Sequence, residues 1–196
     1  MKLQETNLSD IFKNIISKDK YFQLALKVVK ENSLNDNIWV IGSFIYKNLA
    51  DYFYENINSA KDIDFIVEKI SPKISIPDNW TINKTRFGNP RLKNNIGIEI
   101  DIIPLEEVYV IKKRKLSSSI ENYLSGVPLN ITSFAYDINK EKIEGIAGIE
   151  SLGQKIVRIN DLEMAQETAK IYETTVNEMI KKKANELKFK AELIAE

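Results

Sequence analysis

The sequence predicts an α/β protein (α+β in looser usage), a mixed β-sheet with helices mainly on one face, flanked by N- and C-terminal helices. Three observations carry this. The short apolar runs "IWVIG" and "DIDFIVE" are separated by "SFIYKNLADYFYENIN", whose apolar spacing is helical. "GIEIDII" alternates Ile98, Ile100 and Ile102 with Glu99 and Asp101, the pattern of a strand with one apolar and one acidic face. Both ends of the 196-residue chain carry amphipathic helical stripes. This length supports one well-cored domain with a helical appendage. The expected division is an N-terminal helical segment (1–37), a central domain (38–160) and a C-terminal helix (161–196).

At the N-terminus, Ile11, Phe12, Ile15 and Ile16 share one helical face, and Phe22, Leu24, Ala25, Val28 and Val29 the next. A break is expected near residues 17–20, with Ser9 or Asn7 as N-cap. The strand "IWVIG" ends at Gly42, and the following helix places Ile45, Leu49 and Phe53 on one side. Strand, helix, strand in this order is a crossover unit, which pairs its two strands in parallel. Pro72 and Pro77 mark a loop. Two strands then follow, at 81–85 and 96–103, joined by a loop holding Gly88, Pro90 and Arg91. Residues 112–115 form the strongest basic run, read as a solvated face, and "SSSIENYL" reads as a short capped helix. "LNITSFAYDINKEKIEG" reads as a hairpin. From 161 to about 193 one long helix is expected, with a charged tail that leaves the domain surface.

Composition narrows the chemistry. Lys and Arg total 28, as do Asp and Glu, so the net charge is zero and no strongly basic surface argues for nucleic acid. There is neither Cys nor His, which excludes disulfides, thiolate nucleophiles and imidazole bases. Catalysis must use carboxylates, hydroxyls, Lys and Arg. No apolar run is long enough for a signal core or a membrane span, so a cytoplasmic protein with no membrane partner is expected.

Asp62 and Asp64 share one face of a strand, an expensive placement unless something compensates it. Asp101, or its neighbour Glu99, lies on the acidic face of another strand. The helix after Gly42-Ser43 begins where the first strand ends, so its free N–H groups and positive dipole end make a phosphate site. Three carboxylates beside such a cradle suit Mg²⁺. Two such ions clamp the attacking and leaving oxygens of an in-line phosphoryl displacement.

The elements "IGSF", "DIDF" and "IEIDII" resemble the DNA polymerase β-type nucleotidyltransferase superfamily. "NITSFAYDINKEKIEGIAGIESLGQKIVRIN" is similar to the head domain of bacterial-type poly(A) polymerases and CCA-adding enzymes. The chain departs from that pattern where the turn's Arg and Asp become Tyr46 and Lys47, and where "GVP" replaces an Arg-Arg-Asp. The tRNA-holding body and tail domains do not fit in this length, which points to a compact stand-alone member.

The resemblance implies transfer of a nucleoside monophosphate from an NTP such as ATP to an acceptor hydroxyl, with release of pyrophosphate. It implies Asp62, Asp64 and Asp101 as catalytic and metal-binding residues for two Mg²⁺, with Mn²⁺ as a substitute. Gly42 and Ser43 would bind nucleotide phosphates, and Arg91 would reach the triphosphate or acceptor. The acceptor would be RNA, protein or a small molecule. The alternative is a regulatory module of the same fold that binds nucleotide or protein without turnover, or a toxin–antitoxin component.

Overall fold

Two helices lead the chain, α1 (Glu5–Lys18) and α2 (Lys20–Asn32), in a computed structural model that describes residues 4–55, Ile57, Ala60 and 62–195. The expected break is at Asp19, whose carboxylate accepts the Tyr21 and Phe22 N–H groups at 2.8 and 3.1 Å and caps α2. Ser9 is not a cap. It is buried within α1, where its hydroxyl accepts the Ile143 N–H at 2.9 Å, and α1 starts after Gln4 without a side-chain cap.

β1 (Ile38–Ile41), α3 (Ser43–Tyr54) and β2 (Asp62–Val67) follow. Next come β3 (Trp80–Lys84), β4 (Pro90–Asn94) and β5 (Glu99–Pro104). α4 (Tyr109–Arg114) and α5 (Ile120–Gly126) precede the hairpin β6 (Ala135–Asp137) and β7 (Lys142–Glu144). The chain ends in α6 (Ile146–Gln154), β8 (Ile156–Val157), α7 (Leu162–Ile171), α8 (Val176–Leu187) and β9 (Lys190–Ala191). Seven strands form one mixed sheet in the order β3-β4-β5-β2-β1-β6-β7.

Three sequence expectations are corrected. β1 and β2 are neighbours but antiparallel, because the chain returns after α3 to the end of the sheet where β1 stopped; Ile41 pairs with Asp64. Within the seven-stranded sheet the parallel pair is instead β2 and β5. Second, Arg91 is not in a loop. Residues 90–94 form β4 between β3 and β5, and Gly97, at φ +88°, turns the chain into β5. Third, the C-terminal helix is two. Glu173 takes a positive φ of 53°, and Thr175 with Glu178 forms a capping box that starts α8. The tail does not leave the surface, because β9 pairs with β8.

The alternation in each strand sorts its side chains. Val40, Ile63, Phe65, Leu92, Ile100 and Ile102 enter the main core beside Phe12, Phe22, Phe44 and Leu49 of α1–α3. On the other face Ile41, Ile66 and Ala135 lie under a smaller cluster from α4, α5 and α7, including Ile111, Tyr123 and Met164. Asp62, Asp64, Glu99 and Asp101 are the polar positions of β2 and β5 on this same face. Among the described residues no helix is long and apolar enough to cross a membrane.

Candidate active site

Strand register places the acidic residues in rows. On adjacent strands Arg91 of β4 pairs with Asp101 of β5, and Asp101 pairs with Asp64 of β2. Two residues along, Lys93 pairs with Glu99, and Glu99 with Asp62. Each row therefore reads base, acid, acid. Arg91 grips Asp101 with both arms of its guanidinium, Nε to Oδ1 at 2.6 Å and Nη2 to Oδ2 at 2.7 Å. Lys93 and Glu99 form an ion pair in the second row. Among the described residues neither Asp62 nor Asp64 forms an ion pair.

Asp64 sits where the two crowding effects meet. Burial, then the charges of Asp101 and Asp62, push its carboxyl up to about 7. Burial and Glu99 raise that of Asp62 as well. Across from Asp64, β1 gives way to Gly42, whose φ of 72° and ψ of −145° suit glycine. A Cβ there would meet Asp64 Oδ2 at 2.8 Å, so the chain passes directly over the carboxylate. Ser43 then opens α3, and no side chain caps that helix start.

Gly42, Ser43 and Asp64 line one side of a cavity of about 990 Å³, with Lys182 and Lys183 of α8 on another side. Lys183 Nζ lies 5.5 Å above the Tyr46 ring and 2.9 Å from Glu186. Burial would lower the Lys183 pKa, but Tyr46 and Glu186 outweigh it and hold it raised. Glu186 also lies 3.8 Å from Lys47. Tyr46 and Lys47 of α3 thus meet Lys183 and Glu186 of α8. Nothing in the sequence marked Lys183 for this position.

Of the residues singled out in the sequence, the fold brings together Gly42, Ser43, Asp64, Asp62 and Asp101. Arg91 also arrives, but committed to Asp101. Three members of the basic run are paired, Lys112 with Glu107, Lys113 with Glu167, and Arg114 with Asp161 and Glu163.

The donor set is of hard oxygens, the kind Mg²⁺ takes. Asp62 and Asp64 share a face of β2 and form no ion pair among the described residues, although the charges of Arg91 and Lys47 also act on Asp62. Asp101 does not fit as readily, because Arg91 occupies both of its oxygens. Among the described residues no group of three or more acidic side chains is arranged to hold a metal ion.

No protein-family model matches the sequence, and no curated protein matches it either. Solved structures do match. A CCA-adding enzyme with ATP is 18% identical over 80% of this chain and 36% of its own, with a TM-score of 0.55. One with CTP is 15% identical over 85% of this chain and 39% of its own, at 0.57. The chain shares the fold of these structures over the matched part. A tRNA-processing enzyme in an apo form matches 98% of this chain and 45% of its own, at 15% identity and 0.52, so the likeness extends through the C-terminal helices. The chain thus spans less than half the length of these solved structures, and identity this low speaks to fold alone.

Proposed function

We propose that this protein transfers a nucleoside monophosphate from an NTP to an acceptor hydroxyl, releasing pyrophosphate. The observation that carries the reading is the placement of Asp64 beside the Gly42-Ser43 helix start, in the wall of a cavity of about 990 Å³, with Asp62 two residues before it on the same face of β2. Two of the fold neighbours were solved with ATP and CTP, which supports an NTP as substrate.

In this reading the N–H groups at the start of α3 and the Ser43 hydroxyl bind the nucleotide phosphates, helped by the helix dipole. Asp62 and Asp64 would hold Mg²⁺, which when bound neutralises charge on the phosphoryl group undergoing displacement. Asp101, gripped by Arg91, lies beside Asp64 on the adjacent strand and ties β4 to β5. With both oxygens engaged it is a poor proton acceptor, so the acceptor hydroxyl would lose its proton elsewhere. Gly42 lets the phosphate-binding turn close onto Asp64, which brings the donor phosphates next to the carboxylates. Preorganised charge of this kind supplies rate without a His or Cys.

The grip of Arg91 on Asp101 favours a second reading, a nucleotide-binding module of the same fold without turnover. Incubation with each α-labelled NTP and Mg²⁺, offering total RNA, total protein and a metabolite extract in turn, separates the two. Label in one fraction that vanishes with Asp62→Asn and Asp64→Asn identifies an enzyme and its acceptor class. Nucleotide binding with no transfer to any fraction supports the module.

A further inference from the structure

Two polar side chains in the wall of the cavity stand without a protein partner. Asn89 and Tyr123 are each only 8% exposed, and among the described residues no hydrogen bond uses the Asn89 amide or the Tyr123 hydroxyl. Buried polar groups normally find partners, and one left without costs stability. Both residues line the cavity, so a molecule held there is the partner within their reach. The backbone of Asn89 is fixed. Its N–H donates to Thr85 Oγ1 at 3.1 Å and its carbonyl accepts the Thr85 N–H at 2.8 Å, which closes the turn between β3 and β4. Arg86 anchors that turn to the end of α7, donating to the Ile171 carbonyl at 3.1 Å and lying 5.1 Å from the centre of the Tyr172 ring. The hairpin thus positions the amide and leaves its hydrogen-bonding groups unused.

The same wall supplies flat apolar surface. Phe87, in that turn, and Tyr109, at the start of α4, both line the cavity, with ring centroids 5.4 Å apart, and Phe87 is exposed. We propose that this end of the cavity is a nucleobase subsite, with the base against Phe87 and Tyr109 and the Asn89 amide hydrogen-bonded to its edge, and that it selects adenine. The inference rests on reading the site as one that binds an NTP. An amide offers one donor beside one acceptor. Adenine answers that pair on both edges flanking its amino group, N6 with N7 and N6 with N1, so it satisfies the amide in either orientation. Guanine has only acceptors on its N7–O6 edge, and the pyrimidines a single polar group on the corresponding edge. Aromatic faces stack on any base, so Phe87 and Tyr109 give affinity and Asn89 gives choice. Asn89 lies two residues before Arg91 on β4, and β5 separates Arg91 from Asp64, so the subsite stands two strands across from the phosphate-binding turn. Tyr123 is nearer that turn. Burial, then the charge of Asp64, push its phenol up, so it remains a donor at neutral pH and serves the sugar or phosphates whatever the base.

The test is isothermal titration calorimetry of the full chain with ATP, GTP, CTP and UTP in turn, each with Mg²⁺. ATP is expected to bind about tenfold or more tightly than the other three, the equivalent of 1.4 kcal/mol. Asn89→Leu, close in shape and without hydrogen-bonding groups, is expected to bind all four alike. Phe87→Ala, at an exposed position, is expected to weaken all four by about tenfold and keep their order. Tyr123→Phe is expected to weaken all four by one common factor. Equal binding of the four nucleotides to the wild type overturns the proposal, as does an ATP preference that survives in folded Asn89→Leu, or affinities unchanged in Phe87→Ala. Circular dichroism establishes that each variant is folded, and the wild-type ranking stands as a test even where a variant is not. Label transfer with a preference indifferent to Asn89 would overturn this inference and leave the proposed activity. An Asn89-dependent preference in a protein that transfers no label would leave the inference and remove the activity. Binding of no nucleotide would remove both.

Discussion

Gly42 passes so close to Asp64 that a Cβ on it would stand 2.8 Å from the carboxylate oxygen. The backbone there is at φ 72°, where a side chain is strained irrespective of space. Gly42→Ala therefore combines a conformational cost of about 1–3 kcal/mol with a forced shift of Asp64. Denaturant melts are expected to show that loss of stability, and nucleotidyl transfer is expected to fall by about tenfold or more, the cost of a small displacement at a reacting centre. Unchanged stability and transfer would show that the close approach is not needed.

The start of α8 is set by Thr175 and Glu178. The Thr175 hydroxyl accepts the Glu178 N–H at 3.1 Å, and Glu178 accepts the Thr175 N–H at 2.8 Å. Thr175→Val preserves shape and removes the hydroxyl acceptor. It should lower stability in urea by about 1 kcal/mol, the usual worth of an N-cap. A larger loss would mean that α8, which carries Lys183 and Glu186 to the cavity, unfolds as a unit.

That box also illustrates what the sequence discloses and what it hides. "TTVNE" holds a local T-x-x-E signal that stops α7 and starts α8, yet the apolar stripe from Leu162 to Ile180 runs through it and reads as one helix. The alternation in "DIDF" and "GIEIDII" does give the faces of Asp62, Asp64 and Asp101, since period 2 is local. The direction of β1 against β2 depends on how the chain returns after α3, which no short window contains. β4 is masked by Gly88 and Pro90, and only the register of its hairpin with β5 shows Arg91 facing Asp101. The same holds for Lys183, brought to Tyr46 from 137 positions away by the packing of α8.

Arg114 joins α4 to the start of α7 through Asp161, with bonds of 2.7 and 2.9 Å, while Asp161 Oδ1 also accepts the Met164 N–H at 3.0 Å. Arg114 first, outweighing the effect of burial, holds the Asp161 carboxyl below its ordinary value. A depressed folded-state pKa contributes stability that is present above the unfolded value of about 3.9 and is lost as pH falls through the folded one. Asp161→Asn keeps an N-cap acceptor but not the charge. The variant should be less stable than the wild type at pH 7, with the gap closing below about pH 4. Melts across that range check it. A gap that stays constant with pH would assign the loss to the cap and not to the ion pair.

Asp64 has an acid beside it on β5 and another two residues away on β2, and among the described residues no side chain donates a hydrogen bond to its carboxylate. Its negative charge works against the fold, the condition expected of a group kept for function. Asp64→Asn removes that charge with little change of volume. The melting temperature is expected to rise by about 2–4 °C, the shift that ~1 kcal/mol produces in a chain of this size. Transfer of labelled nucleotide is expected to disappear in the same variant. Calorimetry and the labelling assay together decide the matter. A fall in melting temperature would mean that the carboxylate stabilises the fold, and retained transfer would remove Asp64 from the chemistry.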